Sequence, residues 1–307
     1  MNSSIHIPVL LHEVLHALAV KPADVVVDGT TGGGGHSVGI LQSVKFPIDL
    51  LCFDADATAL AVASPLITEA AQSSQSKVRF FESNFRLISS VLAGAGVSKI
   101  DKAIFDLGLR SDQLATSGRG FSFLLDEPLV MTFAATTNDT TLTAKDIINN
   151  FEEADLANVF YGYGEERYSR RFARAIVEAR QSKPITTTGE LTSVIVQAAP
   201  HSYKKGRIHP ATRIFQALRI AVNDELSALK DGLNGAWSLL APGGRIAVIS
   251  FHSLEDRIVK QYFQEKSKAG EGVLHVKKPL VPSAEEMAMN PRSRSAKLRI
   301  IEKVAAA

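Results

Sequence analysis

The chain has 307 residues, 45% hydrophobic and 21% charged, which excludes a disordered or fibrous protein. No apolar run approaches the ~18 residues that span a bilayer, and the stretch behind Met1 to Ile7 lacks a basic leader and is broken by His12, Glu13 and His16, so neither a membrane span nor a signal peptide is expected. The single Cys52 lies among Leu50, Leu51 and Phe53, which excludes a disulfide framework and fits a reducing, cytoplasmic setting, while the net charge of +2 conceals basic clusters at 167–180, 204–219 and 292–299.

Near the start, His12-Glu13-Val14-Leu15-His16 matches the helical zinc pair H-E-x-x-H. Val14, Leu15 and Leu18 form an ordinary apolar stripe on the same helix and no third ligand is evident, so no metal is expected. Short continuous apolar runs follow. They are Val25-Val26-Val27 ending in Asp28, residues 50–53 ending in Asp54, residues 78–81, Ala103-Ile104-Phe105 ending in Asp106, and residues 245–250 after the turn Pro242-Gly243-Gly244. Such strands separated by helix-length segments predict an α/β fold, a doubly wound and mostly parallel sheet covered on both faces. Residues 273–276 and 298–301 are expected to close the sheet, one of them antiparallel.

The stretch between Asp106 and Arg245 is far longer than a crossover requires. It predicts an inserted helical domain at 112–213, with 1–111 and 214–307 forming a discontinuous core. Helices are expected at 144–150, 154–159, 167–180 and 190–197. A long helix opened by Pro210, with Ile214, Phe215, Leu218, Val222, Leu226 and Leu229 on one face, would return the chain to the core. At 100° per residue Arg167, Arg170, Arg171 and Arg174 share one sector and Phe172, Ala173, Ile176 and Val177 the opposite one. Two readings of that sector stand side by side: a solvated face answered by Glu165, Glu166 and Glu178, or an RNA-facing one.

The strongest local signal is a strand running through Asp28-Gly29-Thr30-Thr31 into Gly32-Gly33-Gly34-Gly35-His36 and then a helical pattern. Glycines let backbone approach a ligand, and a helix N-terminus offers free N–H groups. Asp54 ends the next strand, where a carboxylate can accept from ribose hydroxyls. A nucleoside-bearing cofactor is expected. The dinucleotide spacing G-x-G-x-x-G fails in every register and no Gly-Lys-Ser/Thr follows; S-adenosylmethionine carries no phosphate and tolerates a different loop, and a glycine-rich turn without ligand is the other reading.

Further blocks fall in one order: residues 6–11, Gly34-Gly35-His36-Ser37, Asp106-Leu107-Gly108, residues 119–123, Tyr163-Gly164-Glu165-Glu166-Arg167, His209-Pro210-Ala211-Thr212-Arg213, the block 250–257 (Ser-Phe-His-Ser-Leu-Glu-Asp-Arg) and the block 290–299 (Asn-Pro-Arg-Ser-Arg-Ser-Ala-Lys-Leu-Arg). Over nearly its whole length the chain resembles the ribosomal RNA small subunit methyltransferase H (MraW) family. The resemblance implies a class I methyltransferase fold with a helical insertion. It also implies N4-methylation of a cytidine in the decoding region of small-subunit (16S) ribosomal RNA. Carried over, cofactor contacts fall on Gly34, Gly35, His36, Asp54, Phe85, Asp106 and Gln113; without the family Phe85 reads as core. Departures stand at Arg110, Asp112, Glu127 and Val130, where the family favours Ser, Pro, Gly and Asp.

An exocyclic cytosine nitrogen is a poor nucleophile, because its lone pair is delocalised into the ring. An acceptor for its N–H groups helps, and Asp106 with the carbonyls beside it is the candidate. His252 has two readings, a proton acceptor or merely the residue preceding a capping-box helix start at Ser253. The base would come from a single-stranded or splayed-out site. The arginine face and Arg292, Arg294 and Lys297 would hold phosphates of the RNA in the small subunit. A homodimer is left open.

Overall fold

The structure, a computed structural model, describes residues 8–108, 117–133, 141–204 and 208–305. The expected Gln113, and the departures Arg110 and Asp112, lie outside the described residues. The chain divides into two compact units, one of residues 1–108 and 226–307, the other of residues 109–225.

The first unit is built on a seven-stranded sheet: β1 (Val25–Asp28), β2 (Asp49–Asp54), β3 (Lys77–Glu82), β4 (Ile100–Asp106), β5 (Leu240–Ser250), β6 (Gly272–Val273) and β7 (Lys297–Lys303), in the order β3-β2-β1-β4-β5-β7-β6. Pairs among β1 to β5 are parallel, and β7 runs antiparallel to both β5 and β6. This is an α/β, doubly wound and mostly parallel sheet with one antiparallel strand, β7. Alternate residues of each strand feed two cores. Val26, Leu50, Cys52, Ile104 and Ile249 pack on one face with the helices Gly35–Ser43 and Ala57–Ser74. Val27, Leu51, Phe53, Phe105 and Val248 pack on the other with Glu225–Leu239 and Ser253–Lys268. Each fully buried Phe or Leu adds about 1.5–3 kcal/mol relative to exposure.

Two local expectations differ. Pro242-Gly243-Gly244 does not precede β5 but bulges within it: Ile100 pairs with Leu240, Lys102 next pairs with Arg245, and Gly243 absorbs the bend at φ 75°. The helix expected to run from Pro210 past Leu229 is two helices, Thr212–Asn223 and Glu225–Leu239, separated by Asp224 in the left-handed region. The Asn223 amide holds the break, donating to the Met131 and Arg219 carbonyls while its oxygen accepts from Phe133 N–H. Thr212–Asn223 therefore stays with the second unit, and the division falls at Glu225, whereas the sequence reading put it at Arg213.

The second unit is helical: Ala144–Asn150, Glu153–Gly164, Ser169–Arg180, Thr188–Ala198, His201–Lys204 and Thr212–Asn223. Its own core includes Phe160, Phe172, Ile176, Leu191, Ile195, Ile214 and Leu218. Thr143 with Asp146 and Thr187 with Glu190 form reciprocal capping boxes that start two of the helices. Gly164 lets two helices touch, since a Cβ there would stand 2.5 Å from the Arg213 carbonyl oxygen. No described helix is long and apolar enough to cross a membrane.

Candidate functional site

In this sheet β1 lies between β2 and β4, so crossovers leave it in opposite directions. The crevice at the carboxyl ends of β1 and β4 is where open α/β sheets bind ligands. The glycine loop, Asp54 and Asp106 converge there.

Backbone bonds shape the loop. Gly29 N–H donates to Ile104 O (2.9 Å), Thr31 N–H to Phe53 O (2.8 Å) and Gly34 N–H to Thr31 O (2.7 Å). Gly29 is obligatory for this seat, because a Cβ would stand 2.4 Å from the Phe105 ring. Gly34 sits at φ 84° against Ala63 and Ile67, and a Cβ on Gly35 would meet Pro8 at 3.2 Å. Gly33 differs: around its Cβ position there is nothing within 4 Å. The loop is thus packed on its inner side and open at its tip.

The carboxylates lock this arrangement. Asp54 Oδ2 accepts from Gly32 N–H and Oδ1 from Asp56 N–H, both at 2.8 Å, tying the end of β2 to the loop. The Asp106 N–H donates to Thr30 Oγ1 (2.6 Å), and its Oδ1 accepts from Gly108 N–H (3.1 Å). His36 is buried at 6% exposure, with Nε2 3.3 Å from Asp106 Oδ2. Even so, neither ring nitrogen has a hydrogen-bond partner among the described residues. A buried imidazole with two orphaned nitrogens is a donor–acceptor pair held for something else.

Beneath the loop lies a buried acid that sequence reasoning left out of the candidate set. Asp28 accepts from Ser37 Oγ (2.6 Å) and Thr30 N–H (3.1 Å). Burial pushes its carboxyl above the ordinary carboxylate range, against the Ser37 bond and the nearby His36. The neighbouring Cys52 thiol is pushed up to about 12, chiefly by burial and then by Asp28. The strand-ending acid followed by Gly-Thr was the available signal, and Thr30 matters for the same reason: its hydroxyl carries the Asp106 backbone.

Phe85, in the short 3₁₀ turn Phe85–Leu87 after β3, is half-buried. Its ring meets Phe105 edge-on at 5.4 Å and fills the space that Gly232 leaves open. His252 caps the helix Ser253–Lys268: Nδ1 accepts from Glu255 N–H (3.4 Å), and Glu255 Oε2 accepts from the Phe251 and His252 N–H groups. Nε2 stands 3.0 Å from Glu255 Oε1 without hydrogen-bond geometry. His12 and His16 are exposed on the helix Leu11–Leu18, whose Val14, Ala17 and Leu18 are buried. Among the described residues, neither joins a group of three potential metal ligands.

The basic candidates separate. Arg167, Arg170, Arg171 and Arg174 are all exposed, although the helix begins at Ser169 and leaves Arg167 ahead of it. Arg292 and Arg294 are exposed in the turn Pro291–Ser295. Lys297 lies instead in β7, with its ammonium 3.1 Å from Asp256 Oδ2, beside Arg299 at 2.6 Å from Oδ1. Of the departures, Glu127 accepts from Gly120 N–H (2.8 Å) and braces a glycine at φ 75°. Val130 offers only its backbone, as donor to Pro128 O and acceptor from Ala144 N–H.

Residues 3–304 match the model of the MraW methylase family. The chain is 47% identical over 305 residues to the ribosomal RNA small subunit methyltransferase H of Deinococcus deserti, covering 99% of this chain and 95% of that protein. It is 44% identical over 315 residues to the protein of the same name from Heliobacterium modesticaldum, covering 97% and 98%. With a glycine loop, two strand-end acids and an orphaned histidine gathered at the sheet's crevice, the chain belongs to the MraW methylase family.

Proposed function

We propose that this chain transfers the methyl group of S-adenosylmethionine to the exocyclic N4 of a cytidine in the decoding region of small-subunit ribosomal RNA. The observation that carries the reading is the convergence of the open-tipped glycine loop, Asp54 and Asp106 at the switch point of the sheet. The near-full-length relatives named for small-subunit rRNA methylation support the substrate class.

The residues fit the methyl donor: an open loop tip at Gly33, unpartnered buried nitrogens on His36, and a carboxylate at the end of β2. Gly34, Gly35, His36, Asp54, Phe85, Asp106 and Gln113 would hold it. When bound, it supplies an electrophilic sulfonium methyl. Asp54 braces the loop through Gly32 and Asp56, and the several acceptor positions of a carboxylate suit one group to both backbone amides and hydroxyls.

Asp106 is the acceptor for the amine N–H. Its backbone is fixed by Thr30 and its Oδ1 by Gly108, so it needs no reorganisation as charge develops. His252 accepts through Nδ1 in the helix cap, which puts the proton of the neutral ring on Nε2 and makes that nitrogen a donor, so the departing proton passes to Asp106. The helical unit of residues 109–225 recognises the RNA, with the arginine face and Arg292 and Arg294 answering phosphates.

The test is incubation of the purified chain with labelled S-adenosylmethionine and small subunits from a strain lacking the modification, followed by mapping of the base. Label on N4 of one decoding-region cytidine is the expected result. Neither cofactor affinity nor transfer would mark a non-enzymatic binding or assembly factor.

A further inference from the structure

The four arginines of the helix face are not equivalent. Arg171 Nε donates to the Ala198 carbonyl (2.5 Å), and Arg174 Nε lies 3.6 Å from Glu153 Oε1. Both heads are partly occupied inside the second unit. Arg167, one residue before the helix N-cap Tyr168, is held differently. Its Cζ sits 4.8 Å from the Tyr168 ring centroid and 5.6 Å from that of Tyr203. Those two rings meet edge to face at 5.2 Å and 76°, so the guanidinium occupies the corner between them.

The corner is anchored from below. Glu166 is fully buried, its Oε1 accepts from Tyr168 N–H (2.8 Å), and its Oε2 accepts from the Tyr203 hydroxyl. The phenol, pushed up to about 12 by burial and then by Glu166, remains the donor of that bond at any physiological pH. The sequence Glu166-Arg167-Tyr168 thus turns an acid inward and a guanidinium outward. Arg167 is exposed, and its N–H groups find no acceptor among the described residues.

An arginine whose head lies against two aromatic rings and whose N–H groups are unanswered is organised before any ligand arrives, so little side-chain freedom is lost on binding. A planar fork matches an acceptor with two oxygens. We infer that Arg167, set by the Glu166–Tyr203–Tyr168 corner, is the fixed phosphodiester clamp of the RNA-binding face. The inference rests on the proposed RNA substrate and names the contact within it. Arg170, one turn on and likewise exposed, extends the same edge.

The experiment is fluorescence anisotropy of the full chain with a labelled single-stranded RNA of decoding-region sequence, repeated across salt concentrations. Arg167→Ala should weaken binding by at least about fivefold and make the slope of log K against log salt shallower by about 0.7, one phosphate's worth. Arg167→Lys keeps a charge but loses the planar fork; it should keep the slope and still lose about threefold. It also covers the case in which the alanine variant folds poorly. Lys145→Ala, an exposed charge elsewhere in the second unit, controls for bulk electrostatics. If Arg167→Ala matches that control in both affinity and slope, the corner is only an internal staple. Full affinity in Arg167→Lys would remove the clamp geometry, and polyglutamate of equal length bound as tightly as RNA would remove the phosphodiester. Methyl transfer by the unaltered chain is read in parallel. Transfer with indifferent Arg167 variants sinks the clamp alone, and no transfer sinks the enzymatic reading beneath it.

Discussion

The loop end of the sheet and the arginine face of the helical unit were both selected from sequence, yet they are built on opposite principles. At the loop, position is set by backbone: Gly29 on Ile104, Thr31 on Phe53 and Gly34 on Thr31, with buried Asp28 and half-buried Asp54 accepting amides. On the arginine face the backbone fixes only which side is exposed. What each long side chain does is decided by a partner distant in sequence: Ala198 for Arg171, Glu153 for Arg174 and Tyr203 for Arg167. A site made by backbone can be read one residue at a time, whereas a site made by flexible cations can be read only as a surface.

The contrast breaks first under substitution of a glycine. Gly29→Ala forces its Cβ into Phe105, which is fully buried and supports Phe85, so a loss of about 1–3 kcal/mol of stability is expected together with weakened S-adenosylmethionine binding. Arg170→Ala, on the exposed face, should stay within about 0.5 kcal/mol in the same denaturant titration. Equal stability losses would mean that the loop is no more constrained than the helix surface. Next in size is Asp54→Ala. On its proposed role as acceptor for the cofactor ribose, the loss should cost about 1–3 kcal/mol of affinity by calorimetry, and unchanged affinity would show the ribose to be elsewhere. Within the arginine face, Arg171→Ala and Arg174→Ala should each weaken RNA binding by less than about threefold, since their heads are already engaged. A larger loss than in Arg167→Ala would reverse the order inferred from the tyrosine corner.

How much of this was readable follows the same division. Strands β1, β2 and β4 announced themselves as apolar runs ending in an aspartate, because a strand covered on both faces has no polar alternation to confuse it, whereas β3, at the sheet edge, buries no residue fully and shows only Val78, Phe80 and Phe81. β5 was read short, since Pro242-Gly243-Gly244 has the composition of a turn and nothing local tells a turn before a strand from a bulge inside one. The break at Asp224 carries no glycine or proline. It depends on the Asn223 amide reaching Met131 and Phe133, contacts that periodicity cannot see. At the site, the glycine loop and Asp54 were legible because few other uses explain those residues there. Asp28 and Thr30 were not singled out, because a strand-end acid looks the same whether it faces solvent or carries a buried hydroxyl. Lys297 looked like a phosphate ligand from its basic neighbours, and only the fold brings Asp256 to it.

The smallest expected effect is a pair of slopes with opposite sign. Asp28 has a raised carboxyl pKa through burial, so the folded chain keeps its proton above the ~3.9 at which an unfolded aspartate releases it. Its contribution to stability is therefore greatest at low pH and declines as pH rises through the window that ends at the raised folded value. Asp256 is the reverse case: burial works upward, but the Arg299 and Lys297 hydrogen bonds outweigh it and hold the carboxyl below its ordinary range. Its contribution is present above ~3.9 and is lost as pH falls through the window down to the depressed folded value. Chemical denaturation across pH should show Asp28→Asn relieving the decline on the rising side and Asp256→Asn flattening the acid limb. The two acids belong to the two kinds of construction: Asp28 is stabilised by hydrogen bonds from a hydroxyl and an amide, Asp256 by two cations. Raising the salt concentration should shrink the Asp256 slope modestly, because screening reaches the more exposed Lys297 side of its ion pair, and leave that of Asp28 nearly unchanged, because its carboxyl and both its donors lie within the fold. Equal salt sensitivity of both slopes would mean that solvent reaches the base of the glycine loop.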